Sequence, residues 1–369
     1  MSVETSYETD LSLIIPCYNE ESSLEKIVET TLLLENKGLK LELIIVDDCS
    51  KDNSLEIAKK LQNKYSNIKV FTHRTNQGKG AALRTGFIHA TGKYVGIQDA
   101  DMEYNPEDYI TMLDTIKTNN ADVVYGSRYL RADCRRVLYF WHTWMNKTLT
   151  KVSNMFTNLD ITDMETCYKL FKCEVIQEIA KHLKENRFGF EPEITALVSQ
   201  GNYSVYECAI HYTPRTYEEG KKIGWKDGVR ALYCVFHYSA HTAPVPMQLI
   251  IYFFIGAFSA IANLIAFAII KSHAAQLWQA TTIAFIVSAS INYFLCIQVL
   301  FKHNARWNSF TEIIAYIITL LIMGFVDYGC TFWFTQIGIT LMWSKAWAAI
   351  IGFFGNYFLR KVLVFGKKR

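Results

Sequence analysis

The chain has 369 residues, a net charge of +3 and 20% charged residues, a length that suggests two domains or one domain with a membrane region. So small a charge leaves no electrostatic footprint for nucleic acid as a partner. Nine cysteines stand singly with no Cys-x-x-Cys pair, which points away from a zinc site or disulfide framework and toward free thiols in a reducing compartment.

The N-terminus opens polar and acidic, with Ser2, Glu4, Glu8 and Asp10, unlike a secretory signal peptide. From there to about residue 240, strand and helix signals alternate. Residues 11–16 form a first predicted strand. Residues 22–34 have helical spacing, with Ser22 and Glu25 placed as a capping box. Residues 41–46 read as a second buried strand, and Asp52 or Asn53 can cap a helix running to about residue 65. A third strand at 68–72, a helix at 80–90, a fourth strand at 93–98 and a fifth at 122–126 follow. Alternation of this kind implies an α/β fold with a mostly parallel sheet and helices on both faces. Ligands in such sheets bind outside the carboxyl ends of the strands. Tyr18, Asn19 and Glu20, then Asp47 and Asp48, then Asp99 and Asp101 all fall at those ends.

Asp99 and Asp101, two apart directly after a strand, can reach one hard cation, and Glu103 adds a third oxygen ligand. Mg²⁺ and Mn²⁺ favour such donors and bridge carboxylates to substrate phosphates. The plain alternative is a turn before a helix, which Asp and Pro106 also suit. The segment from Asn76 to Gly80 opens a helix. Its glycines permit close backbone approach, and a helix N-terminus favours anions, although a simple turn explains it equally. It is not a Walker loop, because neither Ser nor Thr follows Lys79.

Two later stretches mix basic and aromatic residues as an interfacial helix does, with core-packed helices as the alternative. Residues 135–158 carry Arg135, Arg136, Lys147 and Lys151 among Leu138, Phe140, Trp141, Trp144, Met145 and Phe156. Residues 225–241 carry Lys226 and Arg230 among Leu232, Tyr233, Val235 and Phe236. His237 and His241 lie four apart but lack an evident third ligand for zinc.

From Met247 onward the chain becomes strongly apolar. Four segments, about 247–270, 277–301, 311–335 and 338–359, are each long enough to span a bilayer, which takes ~20 residues. Polar faces at helical period are missing from all four, unlike a soluble bundle. With residues 1–240 in the cytoplasm, an even number of spans returns the C-terminus there. The inside loop then holds Lys302 and Arg306, the tail holds Arg360, Lys361, Lys367, Lys368 and Arg369, and the outside loops hold only Lys271 and Lys345. This is the positive-inside bias. Asn-Tyr-Phe-Leu at 292–295 recurs at 356–359, each followed by Phe at the same offset (Phe301, Phe365) and then a basic residue. The second and fourth spans therefore read as equivalent members of two helix pairs. Asp327 lies within the third span, as a functional acid or as a polar contact between helices.

Taken in order, Ile14 to Glu20, Val46 to Ser50, Gln77 to Ala81, Asp99 to Asp101 and Gly126 to Arg128 resemble a family 2 glycosyltransferase with a GT-A fold. Within it they resemble the dolichol-phosphate mannose and glucose synthase group. The membrane half resembles GtrA-like four-helix regions. The division implied is a GT-A domain at 1–220, an interfacial linker helix at 221–246 and a transmembrane domain at 247–369. The resemblance implies that Pro16, Tyr18 and Glu20 hold the nucleotide, with Val46 and Asp48 near base and ribose. Asp99, Ala100 and Asp101 would face the donor diphosphate, with Asp99, Asp101 and Glu103 around Mg²⁺ or Mn²⁺. A carboxylate at Glu103, where many relatives carry Gln, leaves the metal preference open. Arg128 would meet the acceptor phosphate, and Arg215 and Lys221 would close over the diphosphate. Asp101, Arg128 and Arg215 are the catalytic candidates. Residues 162–167 hold the family position with less glycine than usual, which leaves Asp163 a minor candidate.

The activity implied is transfer of a hexose from GDP-mannose or UDP-glucose to polyprenyl or dolichyl phosphate. A phosphate monoester, with a second pKa near ~6, is already a nucleophile at neutral pH and needs no general base. In-line displacement would invert the anomeric centre. The partners implied are the nucleotide-sugar, the lipid phosphate and the bilayer, with a homo-oligomer through the membrane helices also open. Two rivals are a processive polysaccharide synthase and a non-catalytic membrane adaptor. The Gln-x-x-Arg-Trp motif of the first is missing, since Arg306-Trp307 lacks the Gln. The intact acids and arginines argue against the second.

Overall fold

The computed structural model describes residues 7–130, 136–137, 139–214, 225–273, 276–301 and 309–364. They form two compact units, residues 1–242 and 243–369.

The first unit is built on seven strands: β1 (Leu11–Cys17), β2 (Leu41–Asp47), β3 (Ile68–Thr72), β4 (Tyr94–Ile97), β5 (Val123–Ser127), β6 (Lys169–Lys172) and β7 (Val205–Ala209). Their order in the sheet is β3-β2-β1-β4-β6-β5-β7. The pairs from β3 to β4 are parallel, as is β5 with β7, and β6 runs antiparallel between β4 and β5. The mostly parallel sheet is thus as expected, and β6 and β7 are additions. The β1 and β2 runs are mostly apolar without alternation and buried save for the half-buried Pro16, as strands covered on both faces are.

The helices of this unit are α1 (Leu24–Leu32), α2 (Ser54–Lys64), α3 (Lys79–His89), α4 (Asp108–Thr118), α5 (Phe140–Thr157), α6 (Cys173–Ala180), α7 (Phe190–Gln200) and α8 (Trp225–Ser239). The capping box expected at Ser22 does not form. α1 starts later, Ser23 occupies the N-cap without a side-chain cap bond, and its hydroxyl donates instead to Glu20 at 3.0 Å. α3 lies close on the sheet because Gly86 faces Ile14, where a Cβ would come within 2.1 Å of the side chain. α8 packs on α5 and α7 within this unit, and at Gly228 a Cβ would stand 2.9 Å from Met145 Sδ.

The second unit holds α9 (Val245–Ser272), α10 (Leu277–Leu295), α11 (Ser309–Gln336) and α12 (Leu341–Leu359). α10 and α12 each end in π-helical turns, Cys296–Phe301 and Arg360–Val364. Four helices here are long and apolar enough to cross a membrane, so the four expected spans are present. The repeat extends beyond its sequence signature. Both pairs consist of a 28-residue and a 19-residue helix, packed as α9 on α10 and α11 on α12. Tyr252 and Tyr316 are separated as Asn292 and Asn356 are, and both rings face the Arg360 guanidinium, at 5.7 and 4.5 Å. Arg360 is buried and donates to Asn292 Oδ1 at 2.6 Å. Asp327 is half-buried on α11.

Candidate active site

Parallel register brings the carboxyl ends of the strands together. Cys17 pairs with Asp47 and Ile14 with Ile97, so the segments after β1, β2 and β4 leave the sheet side by side. They are tied to one another. Asn19 N donates to Ser50 Oγ at 3.1 Å, Lys51 N to Asn19 Oδ1 at 2.8 Å, and Glu20 N to Ser54 Oγ at 2.9 Å. Asn19 and Cys49 hold left-handed conformations at φ 54° and 63°.

A cavity of about 740 Å³ opens above these ends. Pro16, Tyr18, Glu20, Asp48, Asp99, Ala100, Asp101, Glu103 and Arg128 line it. Val46 does not, being fully buried within β2. Arg215 and Lys221 lie outside the described residues, as do Arg135, Leu138, Lys302, Arg306, Trp307 and residues 365–369.

Asp48 organises the loop before α3. Its carboxylate accepts from Gln77 N at 2.9 Å and Gly78 N at 2.6 Å, and pairs with His73 Nδ1 at 2.7 Å. The glycines of this loop serve packing within the chain. Gly78 has φ 104°, and a Cβ there would stand 2.3 Å from the Asn186 carbonyl oxygen; at Gly80 it would stand 2.4 Å from that of Glu185. The close neighbour that demands glycine is thus the chain's own backbone. The result is the placement of Lys79, which sequence reasoning assigned no role. Its ammonium lies 3.1 Å from Asp99 Oδ1, 3.3 Å from Glu191 Oε1 and 2.9 Å from Cys167 Sγ. Burial works to lower its pKa, but Asp99, Cys167 and Glu191 together hold it well above the usual lysine value.

Asp101 accepts from Glu103 N at 3.1 Å, and Glu103 accepts from Tyr212 OH at 3.0 Å. The all-oxygen set Asp99, Asp101 and Glu103 fits a hard divalent cation, and Asp99 already has a positive group against it in Lys79. Among the described residues, no three His, Cys, Asp or Glu side chains are gathered into a shell.

Arg128 reaches the cavity from the end of β5 but is not a free cation. It makes a forked pair with Asp163, Nε to Oδ2 and Nη2 to Oδ1 both at 2.7 Å, and its backbone N adds a third bond. Tyr212 stacks on the guanidinium at 5.1 Å. Burial opposes the charge, yet Asp163 holds the Arg128 pKa well above its usual value.

Several lining residues were not anticipated. Glu165 and Cys167 come from the loop before β6, Arg187 and Phe188 from the loop before α7, and Glu191 from the first turn of α7. Trp141, Met145 and Leu149 of α5 and Ala231 of α8 form an apolar flank. The α5 and α8 residues lay in the stretches flagged for mixed basic and aromatic character. Glu165 and Cys167 lay in the 162–167 segment that the family resemblance singled out, without a role of their own; for Glu191 no local pattern existed.

Residues 12–180 match the profile for glycosyl transferase family 2, and residues 251–365 that for the GtrA/DPMS transmembrane domain. A dolichyl-phosphate beta-glucosyltransferase of Trichomonas vaginalis is 29% identical over 216 residues, 55% of this chain and 65% of that protein. One of Dictyostelium discoideum is 30% identical over 224 residues, 55% of this chain and 66% of that protein. The matched stretch thus spans just under two thirds of these relatives. Among solved structures, glucosyl-3-phosphoglycerate synthase of Mycobacterium tuberculosis aligns at 14% identity with a TM-score of 0.48, over 64% of this chain and 82% of that one.

Proposed function

Because this chain joins a glycosyl transferase family 2 domain to a GtrA/DPMS transmembrane domain, we propose that it transfers one hexose from a nucleotide-sugar to the phosphate of a polyprenyl or dolichyl lipid. The observation that carries this reading is the make-up of the cavity. Carboxylates, the cations Lys79, Arg128 and Arg187, and an apolar flank share one space, as a polar donor and a lipid-borne acceptor require. The relatives are named as beta-glucosyltransferases, which supports glucose as the sugar and UDP-glucose over GDP-mannose as donor.

Asp99, Asp101 and Glu103 would hold Mg²⁺ or Mn²⁺, and such an ion supplies charge neutralisation to a leaving nucleoside diphosphate. Lys79, fixed beside Asp99, adds a cation that lies within the protein rather than in water, where its effect on developing charge is larger. Arg128 keeps N–H groups beyond the two spent on Asp163, and a guanidinium fork suits a phosphate monoester. Asp163 holds that fork in one orientation. Arg215 and Lys221 complete the anion-binding set. No proton needs to be removed from the acceptor, so the residues serve to bring two anions to one carbon against their repulsion and hold them in line. Such displacement gives a β-linked product. Trp141, Met145 and Leu149 suit the first isoprene units of the acceptor. The positive-inside bias supports a cytoplasmic catalytic unit and C-terminus.

The test is to combine the purified chain, Mg²⁺ or Mn²⁺, polyprenyl phosphate and each nucleotide-sugar, then analyse the lipid fraction. One hexose per lipid is expected; no product with any donor, or a growing polymer, overturns the reading. Asp101→Ala is expected to abolish turnover while the protein still fractionates with membranes, and retained turnover removes the metal assignment.

A further inference from the structure

Resting on that reading, we propose that Glu165 and Glu191 together grip one hydroxyl of the donated hexose and so help select the sugar. Both line the cavity. Each has one carboxyl oxygen closed off from solvent with no hydrogen-bond partner, Oε1 of Glu165 and Oε2 of Glu191, and Glu191 is only 5% exposed. Buried polar oxygens are nearly always satisfied in folded proteins, so two unsatisfied ones on the wall of one substrate cavity mark a place where a ligand supplies the partner.

The chemistry of the two differs, and the difference identifies the ligand class. Glu191 is ion-paired through Oε1 to Lys79 at 3.3 Å, so its other oxygen can only accept. Glu165 is faced by Glu191 from α7, Lys169 from β6, Arg128 from the end of β5 and Asp163 from its own loop. Burial, and after it Glu191, push its carboxyl up to about 8. It therefore carries a proton at neutral pH and can donate. A carboxylate beside a carboxylic acid matches a group that donates and accepts at once, which a sugar hydroxyl does. A diphosphate offers acceptors alone and is repelled by Glu191. A metal ion at this pair would compete with Lys79, which is already paired with Glu191. Lys79 bridges Glu191 to Asp99, so Glu191 stands one cation away from the carboxylate assigned to the diphosphate, within reach of the sugar attached to it.

Calorimetric titration of the full-length protein in detergent, with no acceptor lipid, separates this proposal from the one beneath it. Each nucleotide is compared with its hexose conjugate: UDP with UDP-glucose, GDP with GDP-mannose. Glu191→Ala and Glu165→Ala are each expected to weaken the conjugate by severalfold to about tenfold, the loss of one hydrogen bond, while the bare nucleotide binds as to wild type. Glu165→Gln, whose amide also donates and accepts, is expected to keep conjugate binding. Equal losses for nucleotide and conjugate, or no loss in either variant, overturn the pair and leave the transferase reading standing. A wild-type protein that binds no nucleotide overturns both.

Discussion

Glu42 is buried in β2 and accepts from Ser12 Oγ, from Lys69 Nζ at 2.5 Å, and from Thr91 through both N and Oγ1 at 2.9 and 2.8 Å. Burial alone would raise its pKa, but these donors outweigh burial and hold it below the ordinary 4.5. Its contribution is present above that value and lost as pH falls through the lower folded pKa. Glu165 has the opposite sign. Raised from 4.5 to about 8, it keeps a proton in the native state that the unfolded chain releases, so stability falls as pH rises from 4.5 to 8. Melting temperatures measured across pH should show Glu42→Gln flattening the acid side of the profile and Glu165→Gln flattening the neutral-to-alkaline side. Exchange of these two effects would refute the protonation states. For Asp163, fully buried against Arg128, substitution strands a charge. Asp163→Ala should cost about 3–5 kcal/mol, read by denaturant unfolding, and a cost below about 1 kcal/mol would mean that the arginine finds water.

Among the helices, α5 exposes Phe140, Trp141 and Trp144 at 69%, 72% and 54%. Aromatics this exposed beside basic residues suit the bilayer interface, where an amphipathic ring places its body in the acyl boundary. The double variant Trp141→Ser, Trp144→Ser should raise KM for long-chain polyprenyl phosphate in vesicles severalfold and leave nucleotide binding unchanged. An unaltered KM would return these rings to mere surface. In the membrane unit, Arg360 joins α10 to α12 through Asn292 and stacks on Tyr252 and Tyr316. Polar contacts between membrane helices are worth ~0.6–1.7 kcal/mol each, so Arg360→Ala should lower the melting temperature of the full chain by several degrees. No shift would show that the guanidinium holds nothing together.

For the whole molecule, legibility in the sequence followed range. Strands 11–17, 41–47, 68–72, 94–97 and 123–127 were each readable because an apolar run between turn residues reports its own burial. The membrane spans were readable because a bilayer imposes length and apolarity on every residue of a segment. The strand-end acids were legible as candidates because the carboxyl ends of parallel strands converge, whereas Arg128 was a candidate only through the family resemblance. β6 and β7 were not. β6 is four residues with lysine at both ends, and buried Lys169 is accommodated only because its ammonium finds the carbonyls of Met164 and Thr166. β7 carries Glu207, whose carboxylate meets Thr162 across the fold.

The sequence by itself determined the first five strands and the helices between the first four of them, the four apolar spans, their internal repeat and the acids at the strand ends, since each depends on spacing along the chain. Only the tertiary structure decided that Lys79 pairs with both Asp99 and Glu191, that Arg128 is already paired with Asp163, and that Glu165 feels the charge of Glu191. Those pairings join residues far apart in the chain, and the energy of a buried charge is set by what surrounds it in space, which spacing along a chain does not encode.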